Sequence, residues 1–142
     1  MMLTTKGRYA VMAVLDIALN SDGKPIVLSD VAVRQDITLN YLEQIFVKLR
    51  KAGVVDSVRG PGGGYLLSKM ASDITIEQII DAVEESIEMT RCKRREKGCM
   101  PGSAKCKTHD LWVGLGDEIR QYFASLSVQN VMDGRVHAIS RS

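Results

Sequence analysis

Residues 60–64 read Gly-Pro-Gly-Gly-Gly, and no regular helix or strand passes through such a run. The flanking stretches are strand-like. Val54, Asp56 and Val58 alternate with Val55, Ser57 and Arg59 on one side, and Tyr65 to Leu67 lie on the other. A β-hairpin with a tight, permissive tip satisfies this pattern. The competing reading of so many glycines is a phosphate-binding loop. Such a loop opens a helix and ends in Gly-Lys-Ser/Thr, whereas here a strand-like stretch follows and Lys69 comes too late.

The residues before the hairpin give it meaning. Thr38 is placed to cap a helix running to about Ala52, which Gly53 ends. Leu42, Ile45, Phe46 and Leu49 form its apolar stripe, while Asn40, Gln44, Val47 and Lys51 fall on the opposite face with Glu43 at its edge. A shorter helix to Gln35, with Ser29 as its expected cap, precedes it across a turn at Asp36. Upstream again, residues 9–19 are apolar nearly all round, as in a helix buried at the centre of a small domain, and residues 20–25 make a turn. Two helices joined by a short turn and followed by a hairpin make a winged helix-turn-helix. Arg59, at the hairpin tip, is placed where a guanidinium reaches a minor groove.

Lys6 and Arg8 ahead of an apolar run raise the possibility of a signal peptide. Asp16 interrupts the run and no small-residue cleavage site follows, so a buried helix and a cytoplasmic location are the simpler expectation. No stretch has the roughly 18–20 apolar residues of a membrane span. The net charge of +2 conceals segregation: residues 1–70 carry nine basic and six acidic side chains, residues 71–90 six acids and no Lys or Arg, and residues 91–109 seven basic groups and one acid. Basic blocks are candidate contacts for nucleic acid.

Beyond the hairpin, Thr75 to Gln78 reads as a capping box opening a helix to about Ile87, with Ile76, Ile79, Ile80, Val83 and Ile87 as its core stripe. From Thr108 a longer helix begins. Trp112, Leu115, Ile119, Tyr122 and Leu126 step by three and four, the spacing of a seam between helices. Packing back on its own core is one reading; a homodimer is favoured, because the winged domain already has helices to close its core. Ser127 is placed to cap a further short helix, VQNVM, and the remainder reads as a tail.

All three cysteines fall within 15 residues, as Cys92-x6-Cys99-x6-Cys106, and His109 follows three residues after the last. An odd, clustered set argues for metal or redox chemistry over a disulfide framework. Three thiolates and an imidazole make a four-donor set for a soft or borderline metal, and the surrounding Lys and Arg favour the thiolate form. On chemistry alone zinc and an iron–sulfur cluster are balanced, with metal-free thiol chemistry the minor reading. Zinc knuckles use shorter gaps, while a cluster accepts wider spacing and a histidine. Nothing else marks an enzyme. The rival from another class is a zinc-stapled interaction protein or thiol-redox protein that never binds DNA.

LTTKGRYAVMAVLDIALN, YLEQIFVKLRKAGVV, SVRGPGGGYLL, TRC and CKTHDLW together resemble the iron–sulfur cluster regulators of the Rrf-two-type winged-helix family, almost end to end from Leu3 to about Met132. The resemblance implies a homodimeric repressor and activator that binds double-stranded DNA at a palindromic operator and controls cluster-biogenesis or iron-homeostasis genes. Carried over by motif, Tyr41, Glu43 and Gln44 on the recognition helix and Arg59, Gly60 and Pro61 on the wing are DNA-binding. Asn40 stands where the resembled proteins carry serine. Cys92, Cys99, Cys106 and His109 become cluster ligands, for two iron and two sulfide ions or, as the alternative, four of each, since each cysteine gap is one residue longer than the family pattern. The expected fold class is mainly α with a small β-hairpin: a winged helix-turn-helix plus a long C-terminal dimerisation helix. Its divisions are a DNA-binding domain with the following helix over 1–88, a cluster-binding loop over 89–109, a dimerisation helix over 110–132 and a tail over 133–142.

Overall fold

A computed structural model describes residues 5–83 and 106–136. Helix α1 (Thr5–Asn20) is followed by α2 (Leu28–Gln35), α3 (Leu39–Lys51), strands β1 (Val55–Val58) and β2 (Gly64–Leu67), a 3-10 turn (Ala71–Asp73), and helices α4 (Ile76–Ala82), α5 (His109–Ser125) and α6 (Val128–Met132). The expected fold class of helices with one small hairpin holds. β1 and β2 pair antiparallel, from Val55 opposite Leu67 to Val58 opposite Gly64.

Helix α1 is the hub, packing against α2, α3, β2, α4 and α6. It buries Ala10, Ala13, Val14 and Ile17 completely, but Met12 and Leu19 face outward, so it is not covered all round. On α3 the stripe Leu42, Ile45, Phe46 and Leu49 is buried as its spacing predicts. Each such side chain contributes about 1.5–3 kcal/mol of transfer free energy when fully buried.

Among the described residues two polar side chains are buried, Asp16 of α1 and His109, and Asp16 is 2% exposed. Arg34 of α2 grips it with a two-pronged ion pair: Nη2 donates to Oδ1 at 2.7 Å and Nε to Oδ2 at 3.0 Å. Gln35 Nε2 adds a third donor at 2.8 Å. Burial pushes the carboxyl up, but the hydrogen bonds from Arg34 and Gln35 and the guanidinium charge outweigh it and hold Asp16 below the ordinary carboxylate range.

Three local expectations are revised. Ser29 does not cap α2: the cap is Val27, and Ser29 lies inside the first turn. Starting one residue earlier makes Leu28 helical and buried, and the Val27 carbonyl accepts from the backbone of Asp30 and Val31. The Thr75 capping box is present, but α4 stops at Ala82 with Val83 as its cap; Ile87 lies outside the described residues. The α5 stripe divides. Ile119, Phe123 and Leu126 pack back on the core, while Leu111, Trp112 and Leu115 remain exposed. The winged portion therefore does not close its core alone.

The C-terminal end is stitched to the middle of the chain. Ile76 N donates to the Leu126 carbonyl at 2.9 Å and Val128 N to the Ile74 carbonyl at 2.8 Å. Ser127 caps α6 through a reciprocal box with Asn130, and Val128 is buried.

Three variants test these contacts. Because the folded Asp16 carboxyl titrates below its unfolded value of about 3.9, its contribution is complete above that value and is lost as pH falls through the lowered one. Asp16→Asn should cost about 1–3 kcal/mol at neutral pH and flatten the acid limb of a pH-dependent denaturation series. Arg34→Ala should destabilise more, by leaving the buried carboxylate without its guanidinium counter-charge. Gly64 sits at φ +150, and a Cβ there would overlap the Ile26 backbone. Gly64→Ala should therefore cost about 1–3 kcal/mol and shift the amide signals of Ile26 and Tyr65.

Candidate functional site

The described surface most suited to a ligand is built by α3 and the hairpin. Thr38 caps α3, its hydroxyl accepting from Tyr41 N at 3.4 Å. With the helix started there, Asn40, Glu43, Gln44, Val47 and Lys51 all reach the surface. Tyr41 is half-buried and meets Tyr9 of α1 edge-on, with ring centroids 5.9 Å apart. The last turn carries Lys48, Arg50 and Lys51, cations at the negative end of the helix dipole. Polar groups able to read base edges thus occupy the first half of α3 and positive charge the second.

The hairpin beside α3 is held at its base. Tyr65 and Ile26 exchange backbone hydrogen bonds, Ile26 N to Tyr65 O at 2.9 Å and Tyr65 N to Ile26 O at 2.8 Å. The Tyr65 ring also packs edge-on against Phe46 of α3, centroids 4.9 Å apart. Hairpin and helix therefore share an aromatic contact beneath the surface. At the tip, Gly63 N donates to the Gly60 carbonyl at 2.9 Å, with Gly60 at φ +92 and Gly62 at φ +76. Gly63 has no room for a Cβ between the Val58 and Gly60 carbonyls. Arg59, Gly60 and Pro61 are exposed there. The glycine run leads into a strand, so the helix N-terminus that a phosphate loop needs is missing at this place.

The expected metal donors fall partly within the described residues. Cys92 and Cys99 lie outside them. Cys106 and His109 stand one turn apart at the start of α5, where His109 N donates to the Cys106 carbonyl at 3.0 Å. Cys106 is half-buried, with its Sγ 3.5 Å from Thr108 Oγ1, and His109 is 2% exposed. The Thr108 hydroxyl also accepts from Trp112 Nε1 at 3.1 Å. Among the described residues no group of three or more His, Cys, Asp or Glu is arranged to hold a metal ion. A thiol and a sheltered imidazole one turn apart nonetheless fit half of a cluster or zinc donor set.

The contacts by which Tyr9, Tyr65 and Thr108 support this surface and the Cys106 turn were not among the expectations from sequence. Thr108 and Trp112 have a legible i, i+4 spacing; the two tyrosine contacts join segments far apart in sequence and leave no local signal.

The sequence profile of the Rrf2 family, described as iron-dependent transcriptional regulators, matches residues 3–134. The HTH-type transcriptional regulator IscR of Photorhabdus laumondii is 52% identical over 135 residues, covering 95% of this chain and 81% of that protein. Among solved structures, IscR of T. potens superposes with a TM-score of 0.74 at 30% identity, covering 100% of this chain and 93% of that one. CymR, the global cysteine regulator of B. subtilis, gives 0.77 at 27% identity over 92% of this chain and 95% of that one. No helix among the described residues is long and apolar enough to cross a membrane. From residue 3 to residue 134, with its winged helix-turn-helix intact, the chain belongs to the Rrf2 family of iron-dependent transcriptional regulators.

Proposed function

We propose that the chain is an iron–sulfur cluster-sensing, DNA-binding transcription regulator that controls cluster-biogenesis or iron-homeostasis genes. The observation that carries this reading is the exposed polar face of α3 set beside a wing whose tip presents Arg59. In this reading Asn40, Tyr41, Glu43 and Gln44 meet the major groove and Arg59, Gly60 and Pro61 the minor groove, while the basic end of α3 supplies salt-dependent affinity for phosphates. Glu43 excludes acceptor-rich edges and accepts from cytosine. Relatives named IscR support the regulatory role.

Cys92, Cys99, Cys106 and His109 would hold a two-iron two-sulfur cluster. The cluster supplies a centre whose presence reports iron and sulfur supply. Support for it comes from the donor chemistry, from the sheltered position of His109 and from the family's iron dependence. Residues 1–88 form the DNA-binding unit, 89–109 the cluster loop and 110–132 the dimerisation helix. The exposed Leu111, Trp112 and Leu115 of α5 are the apolar surface that a second copy covers. Two-fold symmetry then calls for a palindromic operator.

Two experiments test this function. Arg59→Ala should weaken operator binding at least tenfold in a gel-shift titration, and Gln44→Ala should cost about 1–3 kcal/mol at the cognate site with little effect on unrelated DNA. Parental binding by both variants would overturn the interface. Protein purified anaerobically from iron-replete cells should absorb visible light and contain iron and acid-labile sulfide, with Trp112 emission quenched relative to the apo form. Colourless protein with stoichiometric zinc would replace the cluster by a zinc staple.

A further inference from the structure

The second half of α3 and the C-terminal turn of α4 border one open groove of about 650 Å³, lined by Gln44, Lys48 and Lys51 from α3 and by Asp81 from α4. A smaller cleft of about 280 Å³ shares Asp81 and brings in Lys69 from the segment after the wing. Among the described residues lining the two, Asp81 is the sole carboxylate, set against three lysines. Gln44 belongs both to this groove and to the face that reads bases, so groove and DNA interface are continuous. Asp81 also has a partner on its other side: its Oδ1 lies 3.6 Å from Arg120 Nη1 of α5, with both side chains about half exposed. A pair so open to water adds little to stability, which leaves its effect on nearby charge as its main physical consequence.

We propose that Asp81 is a built-in counter-charge to the lysines at the end of the recognition helix, and that Arg120 holds it away from them. The α4–α5 ion pair would then set how much positive charge α3 offers to DNA phosphates. This rests on the DNA-binding reading and supplies its regulation. While Arg120 engages the carboxylate, its field at Lys48 and Lys51 is largely cancelled. When the pair opens, the carboxylate turns to the lysines and competes with phosphate for them. The placement suits a switch. The chain between α4 and α5 carries Cys92 and Cys99, and α5 starts at His109 about three turns before Arg120. Any shift of α5 against α4 alters this pair first, at the edge of the DNA-binding surface.

The test uses the full cluster-loaded chain, kept anaerobic, with a random-sequence duplex of about 24 base pairs titrated between about 50 and 200 mM salt. Asp81→Asn should bind about two- to fivefold more tightly with a steeper salt dependence, and Arg120→Gln about two- to fivefold more weakly with a shallower one. In the Asp81→Asn background, Arg120→Gln should weaken binding less than it does in the parent, because no carboxylate is left to turn to the lysines and only the Arg120 charge itself is lost. Equal weakening in both backgrounds would mean that Arg120 touches DNA itself and would overturn the proposal, as would unchanged binding by both single variants. A DNA-free measurement runs beside it: zero-length carbodiimide coupling, mapped by mass spectrometry, should join Asp81 to Lys48 or Lys51 more in Arg120→Gln than in the parent. Absence of that amide from both proteins would also overturn it. If the parent fails to bind the duplex at all, the DNA-binding reading falls, while the cross-link still decides the charge contact.

Discussion

A carboxylate buried inside α1 governs where the recognition helix can lie. Asp16 takes hydrogen bonds from Arg34 and Gln35, the last two residues of α2. Asp36 follows at once in the left-handed conformation, φ 54, and its backbone N–H returns to the Ala32 carbonyl. The chain then passes through the buried Ile37 to the cap at Thr38. Fixing the end of α2 against α1 therefore fixes the turn, and the turn sets the angle at which α3 leaves it. A purely apolar contact would hold the two helices together while permitting sliding; a forked guanidinium–carboxylate contact fixes their register as well.

The wing is aligned to the same frame from the other side. Phe46 lies under α3 and meets Tyr65 of β2, whose backbone is paired to Ile26 before α2. Helix and hairpin are thus referenced to shared neighbours rather than joined only by the chain at Gly53. In the proposed complex, two reading elements in adjacent grooves must keep a fixed separation, since DNA offers its grooves at fixed spacing. The aromatic contact and the bridge at Ile26 provide that rigidity within a small core.

Much of this was legible because the governing forces are local. The stripe of α3, the Thr38 cap, the Thr75 capping box, the Ser127 cap and the glycine tip each follow from residues within one or two turns of one another. Asp16 shows the opposite case. In sequence it merely breaks an apolar run, because its partners lie 18 and 19 residues away. Ser29 was misplaced since a serine near a helix start suits a cap, yet burial of Leu28 draws the helix one residue earlier. The α5 stripe revealed an apolar face but not what covers it; Ile119 and Phe123 turn inward while Trp112 does not. For the candidate site, spacing placed Cys106 and His109 on one turn, whereas their link through Thr108 to Trp112 needed side-chain geometry.

The backbone bridge between Thr75 and Ser127 bears on how the protein is born. Val128 completes a core whose first members are Ala10 and Ala13, so the ribosome must deliver residues 10 to 128 before that core can close. Until then Ile74, Ile76 and their neighbours on α4 lack the part of their cover that Leu126 and Val128 bring. A regulator of this kind passes through a period of exposed apolar surface during synthesis.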